Sequence, residues 1–235
     1  MNFSPFRAIS FDCYGTLIDW ESGILPIFRA ILSSHGQSLT DAAVLELYAE
    51  FEAEAEKDPY QNYRDVLRSV VRAFAARLHF VATPAEINSL HESVAEWQPF
   101  PDTVKALHRL QTRYRLAVIS NIDNDLFAAT RRHLDVEFEV VMTAEKARSY
   151  KPALNNFRLA RRELGLGPCE WLHVGQSLYH DVAPARALGI ASVWVNRKSA
   201  RPGIGAVPKS EVRPDLEVQD LAALAEAAAQ RCGSL

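Results

Sequence analysis

Cysteine is scarce. Cys13, Cys169 and Cys232 are the three in 235 residues, far apart and without a CxxC pair. That spacing argues against a disulfide framework and against a structural zinc site. No apolar run approaches the roughly 18 residues a membrane helix needs, so no membrane partner is expected. Positive charge is not in excess either. Lysine and arginine number 26 against 29 acidic residues, a formal net charge of -3. A chain that binds nucleic acid normally carries a basic patch or stripe, so none is expected as a partner. The opening residues, MNFSPFRAISFDCYGTL, show no basic stretch followed by an apolar one. The expectation is a cytoplasmic protein. Its composition is ordinary, 48% hydrophobic and 23% charged, and its length allows a sizeable core without staples.

What is present falls into a pattern. Residues 7–13 read as a short buried strand. The segments 22–34, 40–57, 61–79 and 84–97 then repeat with helical periodicity. Thr40-Asp41 and Thr83-Pro84 with Glu86 supply helix start signals. Pro99 and Pro101 punctuate, and strands alternate with helices thereafter. Strands are expected over 115–120, 138–142, 171–175 and 191–196, and helices over 102–112, 124–134, 152–165 and 180–188. Such alternation predicts an α/β fold with a parallel sheet covered on both faces. The stretch 199–214 reads as a loop. Residues 216–230 read as a closing strand or turn and a terminal helix.

In an open parallel sheet, ligands bind beyond the carboxyl ends of the strands. Asp12 ends the first strand and Ser120-Asn121 the second. Lys151 closes the loop after the third. Gly175-Gln176-Ser177 ends the fourth, with Asp181 just beyond. Each residue alone reads as well as a turn residue, a helix cap or a solvated loop lysine. Their convergence at successive strand ends predicts a site. A carboxylate is a workable nucleophile when water is excluded and its charge is held. Thr16 can fix the rotamer of Asp12, and Lys151 can hold its charge and offset charge in the transition state. Gly15 lets backbone pass close to a ligand. Asp181 can orient Lys151 or a water. Other polar residues read as bland. The acidic run Glu46, Glu50, Glu52, Glu54 and Glu56 is expected to be a solvated helix face. His79, His108 and His133 show no metal-ligand spacing, and Cys13 reads as a small core or near-site residue.

Taken together, FDCYGTLID (11–19), AVISN (117–121), SYKP (149–152) and HVGQSLYHD (173–181) resemble the four motifs of the haloacid dehalogenase superfamily. The resemblance covers about 5–20 and 100–230. It implies a Rossmann-like parallel sheet in 1–19 and 99–235, with 20–98 inserted after the first strand as a helical cap. It also implies a hydrolase in which Asp12, Thr16, Lys151 and Asp181 are catalytic and Tyr14, Ser120, Asn121, Gln176 and Ser177 bind substrate.

The subfamily turns on departures. Phosphatases of the superfamily carry a second Asp two residues after the nucleophile. Here that residue is Tyr14, as in the 2-haloacid dehalogenases, and a phenol with a pKa of about 10 does not replace a carboxylate near neutral pH. Phosphatases also tend to have Gly-Asp where this chain has Gly175-Gln176, and a neutral amide is a poor ligand for a hard dication. The resemblance therefore implies hydrolytic dehalogenation of a small anionic 2-haloacid to a 2-hydroxy acid, with no cofactor. The alternative is a Mg²⁺-dependent phosphatase acting on a small phosphorylated metabolite, with Asp12, the Tyr14 backbone carbonyl and Asp181 holding the ion. A second alternative is a weakly active or silent binding protein. The dehalogenases have a cap arginine whose place here falls near Ala49, and no arginine stands between Arg29 and Arg64. Tyr48, Phe51, Tyr60 and Tyr63 read either as a pocket roof or as helix packing. A homodimer is the assembly expected by default.

Overall fold

The computed structural model describes residues 1–57, 59–197 and 210–229. Cys232 and residues 199–209 of the stretch 199–214 read as a loop lie outside the described residues. Six strands form one sheet: β1 (Ala8–Phe11), β2 (Arg115–Ser120), β3 (Val140–Thr143), β4 (Trp171–Gly175), β5 (Ala191–Val195) and β6 (Leu216–Val218). Their order is β3-β2-β1-β4-β5-β6, with every neighbouring pair parallel. β1 and β4 are buried at every residue, because AISF and WLHVG are covered on both faces. The order runs outward in one direction from β1 to β3 and in the other from β4 to β6. The switch between β1 and β4 leaves a crevice at their carboxyl ends. Phe11 stands opposite both Val118 and Val174, so β1, β2 and β4 end close to one level.

Between β1 and β2 the chain is helical: α1 (Trp20–Ser34), α2 (Asp41–Ala55), α3 (Tyr63–Arg77), α4 (Pro84–Ser93) and, leading back into the sheet, α5 (Thr103–Gln111). The expected start signals are real caps. The Thr40 hydroxyl accepts from Ala43 N, and Thr83 and Glu86 form a capping box. α3 buries Val66, Leu67, Val70, Val71 and Phe74 on one stripe. Phe74 packs on Phe28 of α1 with ring centroids 4.1 Å apart. The start of α3 is fixed from the sheet side. Asp123, just after β2, accepts from Tyr63 N at 2.8 Å and Arg64 N at 3.0 Å. α6 (Asn124–Thr130), α7 (Ala144–Ala147), α8 (Leu154–Leu164), α9 (Ala183–Ala187) and α10 (Leu221–Ala229) complete the order. No helix among the described residues is long and apolar enough to cross a membrane.

Three expectations change. The closing strand or turn is a strand, paired parallel to β5 with Val193 opposite Leu216. The helix expected over 180–188 divides into a π-helical turn, Leu178–Val182, and then α9. The Ser177 hydroxyl caps this turn, accepting from His180 N at 2.9 Å. Finally, the acidic run is not a uniformly solvated face. Glu46, Glu50 and Glu54 are exposed, but Glu52 is buried and Glu56 half-buried. Glutamates two residues apart point to different sides of a helix. The set 46, 50, 54 follows one stripe and 48, 52, 56 the other, where Tyr48 is buried too.

Candidate active site

Asp12 stands at the carboxyl end of β1 with 8% of its surface exposed. Its backbone N–H donates to Val174 O at 2.9 Å, which carries the sheet register one residue past the strand. Its two carboxylate oxygens are held separately. Lys151 Nζ donates to Oδ1 at 2.8 Å, and Thr16 Oγ1 donates to Oδ2 at 2.7 Å. Thr16 is itself fixed by accepting from Gln176 N at 2.9 Å. The turn between Asp12 and Thr16 needs Gly15. Its φ is 91°, and a side chain there would stand 2.7 Å from Gln176 Oε1.

Lys151 is 1% exposed and bridges two acids. Beyond Asp12 it donates to Asp181 Oδ1 at 2.7 Å and to Ile119 O at 2.8 Å. Its three protons therefore meet three acceptors from the ends of β1, β2 and the turn after β4. Its backbone is clamped by Asn121, whose Oδ1 accepts from Lys151 N at 2.7 Å and whose Nδ2 donates to Lys151 O at 3.1 Å. Burial works against the ammonium, but Asp12 and Asp181 outweigh it and hold Lys151 above its ordinary pKa. Asp181 is also buried. There the Lys151 charge and the His173 hydrogen bond more than offset burial, keeping its carboxyl below the usual carboxylate range. For Asp12, burial prevails and raises the carboxyl, against the pull of Lys151.

Beneath Asp181 runs a buried relay. Trp171 Nε1 donates to Ser10 Oγ at 2.6 Å, and Ser10 Oγ lies 2.7 Å from His173 Nδ1. An indole N–H only donates, so Ser10 accepts from it and directs its own proton to Nδ1. His173 Nε2 therefore carries the ring proton and donates to Asp181 Oδ1 at 3.3 Å. Burial holds this imidazole below its ordinary pKa, consistent with a neutral ring.

The predicted residues Asp12, Tyr14, Ser120, Asn121, Lys151, Gln176, Ser177 and Asp181 all line one small cavity, about 50 Å³. Thr16 lies behind Asp12. Ser120 has a buried hydroxyl with no hydrogen-bond partner among the described residues, so it is available to a ligand oxygen. The Tyr14 hydroxyl is turned away from Asp12 and lies 2.8 Å from Thr130 Oγ1, and its ring meets Trp97 edge-on at 5.7 Å. Burial pushes its phenol well above its ordinary value. Cys13 is fully buried, and burial pushes its thiol up as well, which fits a packing role.

The cavity has five further lining residues that the sequence did not single out for the site's chemistry: Trp20, Glu52, Glu56, Tyr63 and His180. Tyr63 had been noted only as a roof or packing residue, and Glu52 and Glu56 only as part of a solvated helix face. Glu52 Oε1 accepts from Tyr48 at 2.9 Å and from Tyr63 at 2.5 Å. Burial raises Glu52 to about 7, and burial together with Glu52 pushes Glu56 well above the carboxylate range. His180, next to Asp181 in the chain, is held down at about 4 by burial, so its ring is neutral near pH 7. Its neighbour Asp181 was the available signal. Of the other aromatics, Tyr48 and Phe51 pack within the helices, and Tyr60 stacks on Tyr150. Arg64 pairs with Asp125 and is outside the cavity lining.

A hard dication here would draw on Asp12, the Tyr14 carbonyl and Asp181. Asp181 is folded against Gly175, with Oδ1 bonded by Lys151 and His173 and Oδ2 accepting from Ser177 N at 3.2 Å. Gln176 presents a neutral amide beside it. This set fits Mg²⁺ poorly.

Comparison with known proteins points to one family that includes both dehalogenases and phosphatases. The family model for haloacid dehalogenase-like hydrolases matches residues 6–189. Haloacetate dehalogenase H-2 of Moraxella sp. (strain B) is 26% identical over 197 residues, covering 81% of this chain and 86% of that protein. Glyceraldehyde 3-phosphate phosphatase of Methanothermobacter thermautotrophicus is 27% identical over 197 residues, covering 81% and 85%. A crystal structure of an L-2-haloacid dehalogenase superposes with a TM-score of 0.77 at 26% identity, covering 94% of this chain and 98% of that one.

Proposed function

The chain belongs to the haloacid dehalogenase-like hydrolases, and we propose that it uses Asp12 to displace halide from a small 2-haloacid-type substrate without a metal ion. Tyr14 carries this reading. It occupies the place where a phosphatase of the family would hold its general acid, and its phenol is committed to Thr130 and kept protonated by burial. Phosphoryl transfer needs a proton donor for an alkoxide leaving group, whereas a halide leaves as a stable anion without one.

In the first step an Asp12 oxygen attacks the halogen-bearing carbon. The carbon–halogen bond breaks with its electron pair on the halide, and an ester forms on Asp12. Ser120 Oγ, with no partner among the described residues, donates to the substrate's carbonyl or carboxyl oxygen. In the second step water attacks the Asp12 ester carbonyl. The bond between the Asp12 carbonyl carbon and the substrate-bearing oxygen cleaves, one water proton passes to that departing oxygen to give the 2-hydroxy product, and the other is released as the Asp12 carboxylate re-forms. Lys151 stabilises the charge that develops on the ester oxygen, and Asp181 and Thr16 hold Lys151 and Asp12 in place. The imidazole of His180 lines the same cavity, and burial, which holds it at about 4, keeps it neutral and only weakly basic there. Helices α1–α4 serve as the cap that excludes water.

The likeness to a phosphatase sets the competing outcome. A paired assay separates them: halide release from chloroacetate, chloroacetamide and 2-chloropropionate in EDTA, against phosphate release from small phosphoesters with Mg²⁺. The expected result is halide release in EDTA that disappears in Asp12→Asn. Phosphate release that needs Mg²⁺, with no halide from any compound, contradicts the proposal.

A further inference from the structure

The cavity holds more acid than base. Asp12, Asp181, Glu52 and Glu56 line it, and Lys151 is the one lysine or arginine among its lining residues. Lys151 is shared by Asp12 and Asp181 at 2.8 and 2.7 Å, which leaves none of its three protons for the helical side. Glu52 and Glu56 lie one turn apart on the inward stripe of α2. Their partners are neutral: two tyrosine hydroxyls on Glu52 Oε1, and Asn121 Nδ2 at 3.3 Å from both oxygens of Glu56. The nearby arginines are directed elsewhere. Arg64 pairs with Asp125, and Arg148 lies over the Tyr60 ring at 4.5 Å. Among the described residues, an anion entering the cavity meets these two carboxyl groups with only the already shared Lys151 charge to offset them, in surroundings where charges are weakly screened. A ligand N–H or O–H meets two good acceptors.

We propose that Glu52 and Glu56 make the pocket selective for 2-halocarbonyl compounds without net negative charge, which offer an amide, hydroxyl or ammonium donor to α2, over the 2-haloacid anion of the same size. The inference rests on the Asp12 reading and narrows its substrate class. Burial pushes both glutamates up, so the exclusion strengthens as pH rises through about 7 and Glu52 ionises. Recognition is then by exclusion as well as attraction, since the unpaired acids disfavour the wrong ligand.

Chloroacetate and chloroacetamide test this, because they differ in charge and hardly in size. Chloride release is followed in EDTA at about pH 8, where Glu52 is ionised. The expected kcat/KM of the wild type is higher for chloroacetamide by about tenfold or more. Glu52→Gln/Glu56→Gln closes that gap, mainly by a gain on chloroacetate. A wild type that prefers chloroacetate, or a double variant that lowers both substrates equally, overturns the proposal. Binding of glycolamide and glycolate to the wild type by calorimetry gives a second reading that needs neither turnover nor a variant. Tighter glycolamide binding supports the proposal, and equal or weaker binding overturns it. Chloride release that survives Asp12→Asn would overturn the nucleophile reading alone, leaving the charge preference to be judged by the binding data.

Discussion

Lys151 places an ammonium where 1% of the residue is exposed, and two carboxylates from different strand ends keep it there. A buried ion pair is weak evidence of stability, because desolvation opposes the attraction. Its value here is positional: it sets Asp12 and Asp181 against one charge. The close contact of Asp181 with Gly175 makes this testable. An added Cβ would stand 2.4 Å from Asp181 Cγ, so Gly175→Ala has to displace Asp181 and with it Lys151. The expected outcome is a loss of activity of about 100-fold or more, the scale of a misplaced catalytic group, with circular dichroism still showing a folded chain. Retained activity would mean Asp181 does not position Lys151. Glu52 gives a pH test. Folding raises its carboxyl from 4.5 to about 7. A raised acid favours the folded state while protonated, so its contribution is full below about pH 4.5 and lost as pH rises through about 7. Glu52→Gln lacks that loss. Urea unfolding should show the variant gaining on wild type by about 2 kcal/mol between about pH 5 and about pH 8. A constant difference would mean Glu52 is not raised. Asp12, Thr16, Lys151 and Asp181 were legible because each sits in a short motif at a strand end. His173 was not, because its role depends on Ser10 and Trp171, which the sheet alone brings beside it.

Elements explain where legibility stops. The strands and helices followed from burial period and cap residues, and most of their ends fall within two or three residues of expectation. The two faces of α2 did not follow. From Glu50 its glutamates recur every second residue, and which stripe faces inward depends on Tyr63, delivered by a different helix. The π-helical turn at Leu178–Val182 was invisible for a similar reason: the side chain of Asp181 and the Ser177 cap shape it, and neither leaves a periodic signal. The placement of α3 over the site rests on Asp123, which supplies from the sheet side the cap that Asn62 does not. Asp123→Ala should cost about 1–2 kcal/mol in denaturant unfolding, the usual scale of a lost N-cap. It should also raise KM more than it lowers kcat, because the lining residue Tyr63 loses its anchor. A variant with unchanged stability and KM would mean α3 is held by its apolar stripe alone.

At the scale of the whole chain, topology brings the site together. Strand order reverses between β1 and β4, so the motif residues, distant in sequence, converge on one crevice, and the helices inserted after β1 stand over it. A fold of this kind hosts more than one chemistry, so the reaction has to be read from the side chains. They set an aspartate against a buried lysine, with a phenol where a second acid would stand and two glutamates facing them from α2. The most direct test of Asp12 as nucleophile is a single turnover in H₂¹⁸O with enzyme in excess over the chloro-substrate that the assays favour. A covalent ester on Asp12 predicts that ¹⁸O enters the enzyme, in the peptide containing Asp12, and that the first hydroxy product carries the original Asp12 oxygen. Product labelled with ¹⁸O from an enzyme that stays unlabelled would show direct attack by water and contradict the account.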